Sequence, residues 1–160
     1  MVISNEFYYR PPIEILYDIS DDPVRRLFLD DLIMYQEEKG TPLSQCPTIS
    51  KQPLDLYRLY LAVKERGGFV EVMKGRMWKE IAELLGIGSS SSVVYTMRMQ
   101  YNKHLLPYEC KYDMGGIDPA PLISSLEKRA GIHCIYHFYN CYKIESCFSK
   151  FLGTKANTTL

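Results

Sequence analysis

The sequence predicts an all-α domain, and three observations carry that prediction. Apolar residues recur at three- and four-residue spacing in successive stretches, glycine and proline punctuate the gaps between them, and no convincing strand is visible. Two of the helical stretches meet through a glycine turn, which is the outline of a helix-turn-helix. At 160 residues and 46% hydrophobic composition the chain suits one globular domain with tails, with no membrane span or signal peptide. Nineteen basic residues cancel nineteen acidic ones, which excludes a strongly basic protein that coats nucleic acid indiscriminately. The balance is uneven, because residues 1–22 carry one basic and five acidic residues and leave the remainder mildly basic.

Residues 1–22 read as a leader, with Pro11-Pro12 and scattered apolar positions but no element of its own. Asp21-Asp22-Pro23 supplies a cap and a first-turn proline, and Val24, Leu27, Phe28, Leu32 and Tyr35 then follow at helical spacing to about Lys39. Residues 40–53 hold three prolines and form a long loop, whose candidate phosphate contacts are Lys51 and the hydroxyls Thr41, Thr48 and Ser50. The next helix opens at Pro53, buries Leu56, Leu59, Tyr60 and Val63, and stops at Gly67-Gly68. Phe69 to Met73 is short enough to make a single turn, and Lys74-Gly75-Arg76 reads as a kink. Met77 to Leu85 places Trp78, Ile81, Ala82 and Leu85 on one face and ends at Gly86. A last helix is expected from Pro121 to Arg129, for a total of six or seven.

The stretch from Gly86 to Leu106 is where function is expected. Ser89, Ser90, Ser91 and Ser92 can cap a helix beginning near Ser90, and exposed N–H groups at such an end attract anions. Turning about 100° per residue puts Val93, Val94, Met97, Tyr101, His104 and Leu105 on the core side. Ser92, Tyr95, Thr96, Met99, Asn102 and Lys103 fall on the other, free side. An ordinary capped surface helix would show the same pattern, so context must decide.

That context is a resemblance. Pro53-Leu-Asp-Leu-Tyr-Arg-Leu-Tyr60, Val63-Lys-Glu-Arg-Gly-Gly68, Trp78, the serine run before Val93 and Tyr101, and Leu105-Leu-Pro-Tyr-Glu109 occur in the order of the AT-rich interaction domain, ARID. The chain resembles this family over residues 23–129, and within it the Osa-type subunits of SWI/SNF chromatin remodellers. The resemblance implies an ARID-type bundle that binds double-stranded DNA with little sequence discrimination. In it the helix-turn-helix lies in the major groove and the long loop approaches the backbone. Carried onto this sequence, the DNA-facing set is Ser89, Ser90, Ser91, Ser92, Tyr95, Thr96 and Met99, with Lys51 and Lys103 as phosphate contacts. Nuclear localisation, other SWI/SNF-type subunits as partners and a role in transcription regulation are implied in the same way. Two departures bear on affinity. Related helices tend to carry a basic pair where Arg98 is followed by Met99, and Tyr95 replaces a smaller residue. Each lost phosphate contact lowers the salt slope by about 0.9 log unit.

The alternative is an ARID fold used mainly as a protein-interaction scaffold, favoured by the near-zero net charge, Met99 and Tyr95. Residues 130–160 match nothing in the domain and are expected to be disordered or loosely docked. His133, Cys134, His137 and Cys141 lack the paired spacing of a structural zinc site, so no metal is expected. Cys46 and Cys110 read as reduced thiols. The phosphate-loop and nucleophile-elbow motifs are missing, and the half-buried position expected of His104 suits packing. Neither catalysis nor a cofactor is expected.

Overall fold

Two aspartates fix the register of the N-terminal half. The computed structural model describes residues 12–130, and the first helices are α1 (Ile15–Asp18) and α2 (Pro23–Glu38). Asp22 caps α2 by accepting from Val24 N at 2.9 Å, as its place before Pro23 predicts. Asp55 caps α3 (Leu56–Glu65) by accepting from Arg58 N at 3.1 Å, so the helix starts after Pro53 rather than at it. The buried Arg25 ties these pieces together: its Nε donates to Leu16 O at 3.1 Å and its Nη1 meets Asp55 Oδ2 at 2.8 Å.

That arginine also sets the phase of α2. With Arg25, Leu29, Leu32 and Gln36 turned inward, Val24 and Leu27 are 59% and 65% exposed, against the expectation that they belong to the core. The leader likewise differs from expectation, since Leu16 of α1 is fully buried. One four-residue turn is too short to show a helical period in a sequence.

The long loop holds a hairpin of β1 (Thr48–Ile49) and β2 (Gln52–Pro53), paired antiparallel where no strand was expected. Strands of two residues cannot display alternation, and the loop is held instead by buried Leu43, Cys46, Ile49 and Leu54. Its end is latched where Thr41 Oγ1 donates to Gln36 Oε1 at 2.8 Å and Gln36 Nε2 donates to His104 O at 2.8 Å.

Beyond α3 come α4 (Phe69–Gly75), α5 (Trp78–Leu84), α6 (Ser91–His104), α7 (Leu106–Tyr112) and α8 (Pro119–Ala130). The described residues thus hold eight helices rather than six or seven. Pro107 lacks the N–H that would continue the ladder of α6 and sits instead in the first turn of α7, which separates the two. α4 is longer than a single turn because its free end is capped from afar. Glu109 Oε1 accepts from Phe69 N at 2.8 Å, and Glu109 Oε2 accepts from the Tyr101 hydroxyl. Tyr101 stacks on Phe69 at 5.9 Å between ring centres and meets Trp78 edge-on at 5.5 Å, so α4, α5, α6 and α7 share one buried cluster. Residues 12–119 belong to one compact unit. α8 belongs largely to a second, and carries Ile123 and Leu126 one turn apart and Lys128 and Arg129 in its last turn. The expectations for residues 131–160 lie outside the described residues.

Burial pushes the Glu109 carboxyl above its usual range, while the bonds from Tyr101 and Phe69 pull the other way. Replacing it should cost stability through those two partners. Glu109→Ala leaves a buried N–H and O–H without acceptors and is expected to cost about 3 kcal/mol in urea unfolding. Glu109→Gln, which keeps an acceptor for Phe69 N, is expected to cost about 1 kcal/mol.

His104 carries an acid sensitivity of the opposite kind. Burial, then the Lys103 charge, pushes its imidazole down to about 3 from an ordinary 6.5. The folded state therefore keeps it neutral while the unfolded chain takes up a proton below about 6.5. Its contribution is fully present above pH 6.5 and is lost as pH falls towards 3. Between pH 6.5 and 5 the loss is on the order of 2 kcal/mol, and unfolding of His104→Gln across this range is expected to lack it.

Candidate nucleic-acid interface

The turn between α5 and α6 is built by its backbone. At the end of α5, Gly86 N donates to Glu83 O at 3.1 Å and Ile87 N donates to Ala82 O at 3.3 Å, the paired bonds of a Schellman stop. Gly86 takes φ +69°, the left-handed conformation that this stop requires. From α3, Arg58 Nη2 covers the Leu84 carbonyl at 3.3 Å. The chain then reaches Ser90, whose hydroxyl accepts from Val93 N at 3.4 Å and lies 3.3 Å from Ser92 Oγ. α6 is therefore started by a side-chain cap and stands directly after a rigid turn.

Along α6 the inward side chains are Met97, Arg98, Tyr101, Asn102 and, just past its end, Leu105. Asn102 was expected on the free side and is instead buried, because the core arc extends further around the helix than the apolar residues alone suggest. Opposite it, Ser92, Tyr95, Thr96, Met99 and Lys103 form one continuous ridge at successive turns. Ser92, Tyr95 and Lys103 are exposed, whereas Thr96 and Met99 are half-buried. Thr96 Oγ1 donates back to Ser92 O at 2.9 Å, which commits its proton to the helix and leaves its oxygen to accept. In the turn, Ser90 and Ser91 are exposed and Ser89 is half-buried.

Lys51 stands apart from this ridge, at the tip of the hairpin whose first strand packs against α6. Ser50 and Lys51 both adopt left-handed backbone, with φ of 52° and 65°, as a two-residue type I′ turn demands. Asparagine and glycine tolerate that geometry better than serine and lysine, so the tip carries conformational strain.

The sequence reading missed two cations close to the turn's first helix. Arg76, the left-handed C-cap of α4, and Lys79 in the first turn of α5 are exposed, and no described hydrogen bond or ion pair engages their side chains. Lys74-Gly75-Arg76 had been read for its backbone alone, although its charge was already visible. On a larger scale, residues 39–103 hold ten basic and five acidic residues, while residues 12–38 hold two and eight. The positive half is the one that contains the turn, α6 and the hairpin. Among the described residues no group of three or more histidine, cysteine or acidic side chains stands together as a metal site, and no helix is long and apolar enough to cross a membrane.

A glycine-stopped helix, a serine turn and a second helix with an outward ridge define a helix-turn-helix of the nucleic-acid-binding kind. The chain belongs to the ARID family, since the domain described as ARID/BRIGHT DNA binding domain matches residues 24–109. It is 61% identical over 112 residues to the Trithorax group protein osa of Drosophila melanogaster, covering 70% of this chain and 4% of that protein. It is 42% identical over 125 residues to a dead ringer homolog of Ciona intestinalis, covering 78% and 22%. AT-rich interactive domain-containing protein 3A of Xenopus laevis is 43% identical over 107 residues, covering 66% and 20%. The chain thus spans between 4% and 22% of the length of these relatives.

The two kinds of serine in the turn should separate in unfolding experiments. Ser90→Ala removes the cap of α6 and is expected to cost about 1 kcal/mol. Ser91→Ala is expected to change stability by less than about 0.5 kcal/mol in the same urea titration.

Proposed function

We propose that the chain grips duplex DNA with the serine turn and the ridge of α6, and that it does so as the DNA-binding module of a SWI/SNF-type chromatin remodeller. The observation that carries the reading is the continuous ridge of Ser92, Tyr95, Thr96, Met99 and Lys103, set directly after the anion-facing turn of Ser89 to Ser91. Lys51 and Lys103 meet phosphates, and Arg76 and Lys79 extend the same contact along the first helix of the motif. Family membership supports DNA as the ligand. The 61% identity to the osa protein supports the remodeller setting, with other subunits as partners, a nuclear location and a role in transcription regulation. The module acts by binding rather than by catalysis, and residues 23–129 remain our reading of its extent.

A fluorescence-anisotropy titration of the whole chain with random and AT-rich duplexes at two salt concentrations tests this. Binding is expected to be within a few-fold for the two duplexes and to weaken as salt rises. No binding at low salt would defeat the proposal. Lys51→Ala and Lys103→Ala are each expected to weaken both duplexes alike and to lower the salt slope by about 0.9. Lys51→Gly should show the same loss on DNA while raising stability by about 1 kcal/mol, because it relieves the left-handed tip. A change of sequence preference in either lysine variant would remove that residue from the phosphate role.

A further inference from the structure

Four of the eight large hydrophobic residues exposed among the described residues are Ile19, Val24, Leu27 and Met34, so the apolar exposure is concentrated at one end of the chain. Around α2 the core arc is centred between Arg25, Leu29, Leu32 and Gln36, which puts Leu27 and Met34 diametrically outward, 65% and 54% exposed. Val24 flanks this stripe at 59%. Leu27 and Met34 thus stand two turns apart on the outer side of α2, a pair of apolar side chains that the fold leaves unused.

Acidic groups frame the outer side. Asp31 and Glu37 are exposed and enter no described hydrogen bond or ion pair, while Asp30 accepts from Tyr17 OH at 2.7 Å and Glu38 lies 3.6 Å from Lys111 Nζ. Glu37 and Glu38 close the helix at its negative dipole end, where Lys39 is the C-cap and Lys111 reaches Glu38. Cations stabilise that end and carboxylates destabilise it. The outer face therefore sets two unused apolar side chains, Leu27 and Met34, among the carboxylates Asp30, Asp31, Glu37 and Glu38. DNA does not complement this face, since its phosphates are repelled by the two-against-eight charge balance of residues 12–38.

We infer that the outward face of α2 docks a basic amphipathic helix of a partner protein. Leucine-like side chains of the partner cover Leu27 and Met34, and its lysines or arginines reach Asp31 and Glu37. Leu27 and Met34 lie on the side of α2 opposite Gln36, through which α2 bonds the end of α6, so DNA and this partner are expected to bind together.

The test uses the whole chain and a fluorescent leucine/lysine peptide of about 18 residues, roughly five helical turns with one apolar face. Two controls share its length: a scrambled peptide of equal charge without that face, and a leucine/glutamate version. The leucine/lysine helix is expected to bind, to move amide resonances of residues 19–38, and to stay bound when duplex DNA is added. The pairs Leu27→Ser with Met34→Ser and Asp31→Lys with Glu37→Lys are each expected to weaken it at least about tenfold while leaving DNA binding no weaker. These side chains are exposed, so the variants should fold, and a urea titration checks that. The inference is overturned if the scrambled or acidic peptide binds as well, or if neither pair of substitutions matters. It is equally overturned if resonances of α5 and α6 move instead, if DNA displaces the peptide, or if the stripe proves to be covered by a second copy of the chain in sedimentation equilibrium.

Discussion

The Glu109 carboxylate is the interaction on which the helix-turn-helix half depends. It sits in the core, satisfies the first N–H of α4, and accepts the Tyr101 hydroxyl from α6. Gly68 must approach it closely, for a Cβ there would lie 2.7 Å from Glu109 Oε1 and the residue holds φ +90°. A buried charge is costly unless its hydrogen bonds are complete, so the cluster tolerates one arrangement of α4, α6 and α7. Phe69, Trp78 and Tyr101 then pass that arrangement to α5 by ring packing. The angle between the two helices of the motif, and hence the direction in which the ridge of α6 faces, follows from a carboxylate buried in the core.

Charge is separated along the chain in a way that suits two partners. The acidic segment up to Glu38 and the basic segment from Lys39 to Lys103 nearly cancel in the net charge while giving two stretches of the chain opposite sign. On the proposed mode of binding, the basic stretch is the one drawn to a duplex. Weak net charge and oriented binding are therefore compatible, and the zero sum by itself says little about DNA.

Much of the fold was legible because the helices announce themselves. Asp22-Pro23, Gly67-Gly68 and Gly86 mark ends, and Leu56, Leu59, Tyr60 and Val63 are buried as their spacing requires. What escaped belongs to interactions distant in sequence. No local pattern shows that Arg25 would be buried against Asp55, 30 residues away, and so leave Val24 and Leu27 outside while Leu32 and Tyr35 stay in the core. The capping of α4 by Glu109 spans 40 residues, which is why a two-turn helix looked like one turn. At the candidate site, the ridge was readable from periodicity together with the family motifs. Arg76 and Lys79 were present in the sequence but their exposure was not, and Asn102 needed the neighbouring helices to place it.

The reading helix is short of the side chains that recognise particular bases. Bidentate contacts to guanine come from arginine or lysine and those to adenine from asparagine or glutamine. In α6 the arginine and the asparagine are both turned inward, each 8% exposed, Gln100 is half-buried, and Lys103 alone of these residue types is exposed. Arg98 holds its guanidinium 5.7 Å from the centre of the Tyr95 ring, a cation–π contact that fixes Tyr95 rather than reaching outward. What faces out is a phenol, two hydroxyl-bearing side chains, a thioether and one lysine, which can follow groove shape and accept or donate opportunistically. Such a set positions a helix without naming a sequence. On the proposed mode of binding, weak discrimination follows from where the core of α6 lies, and affinity is carried by Lys103 together with the cations around the helix.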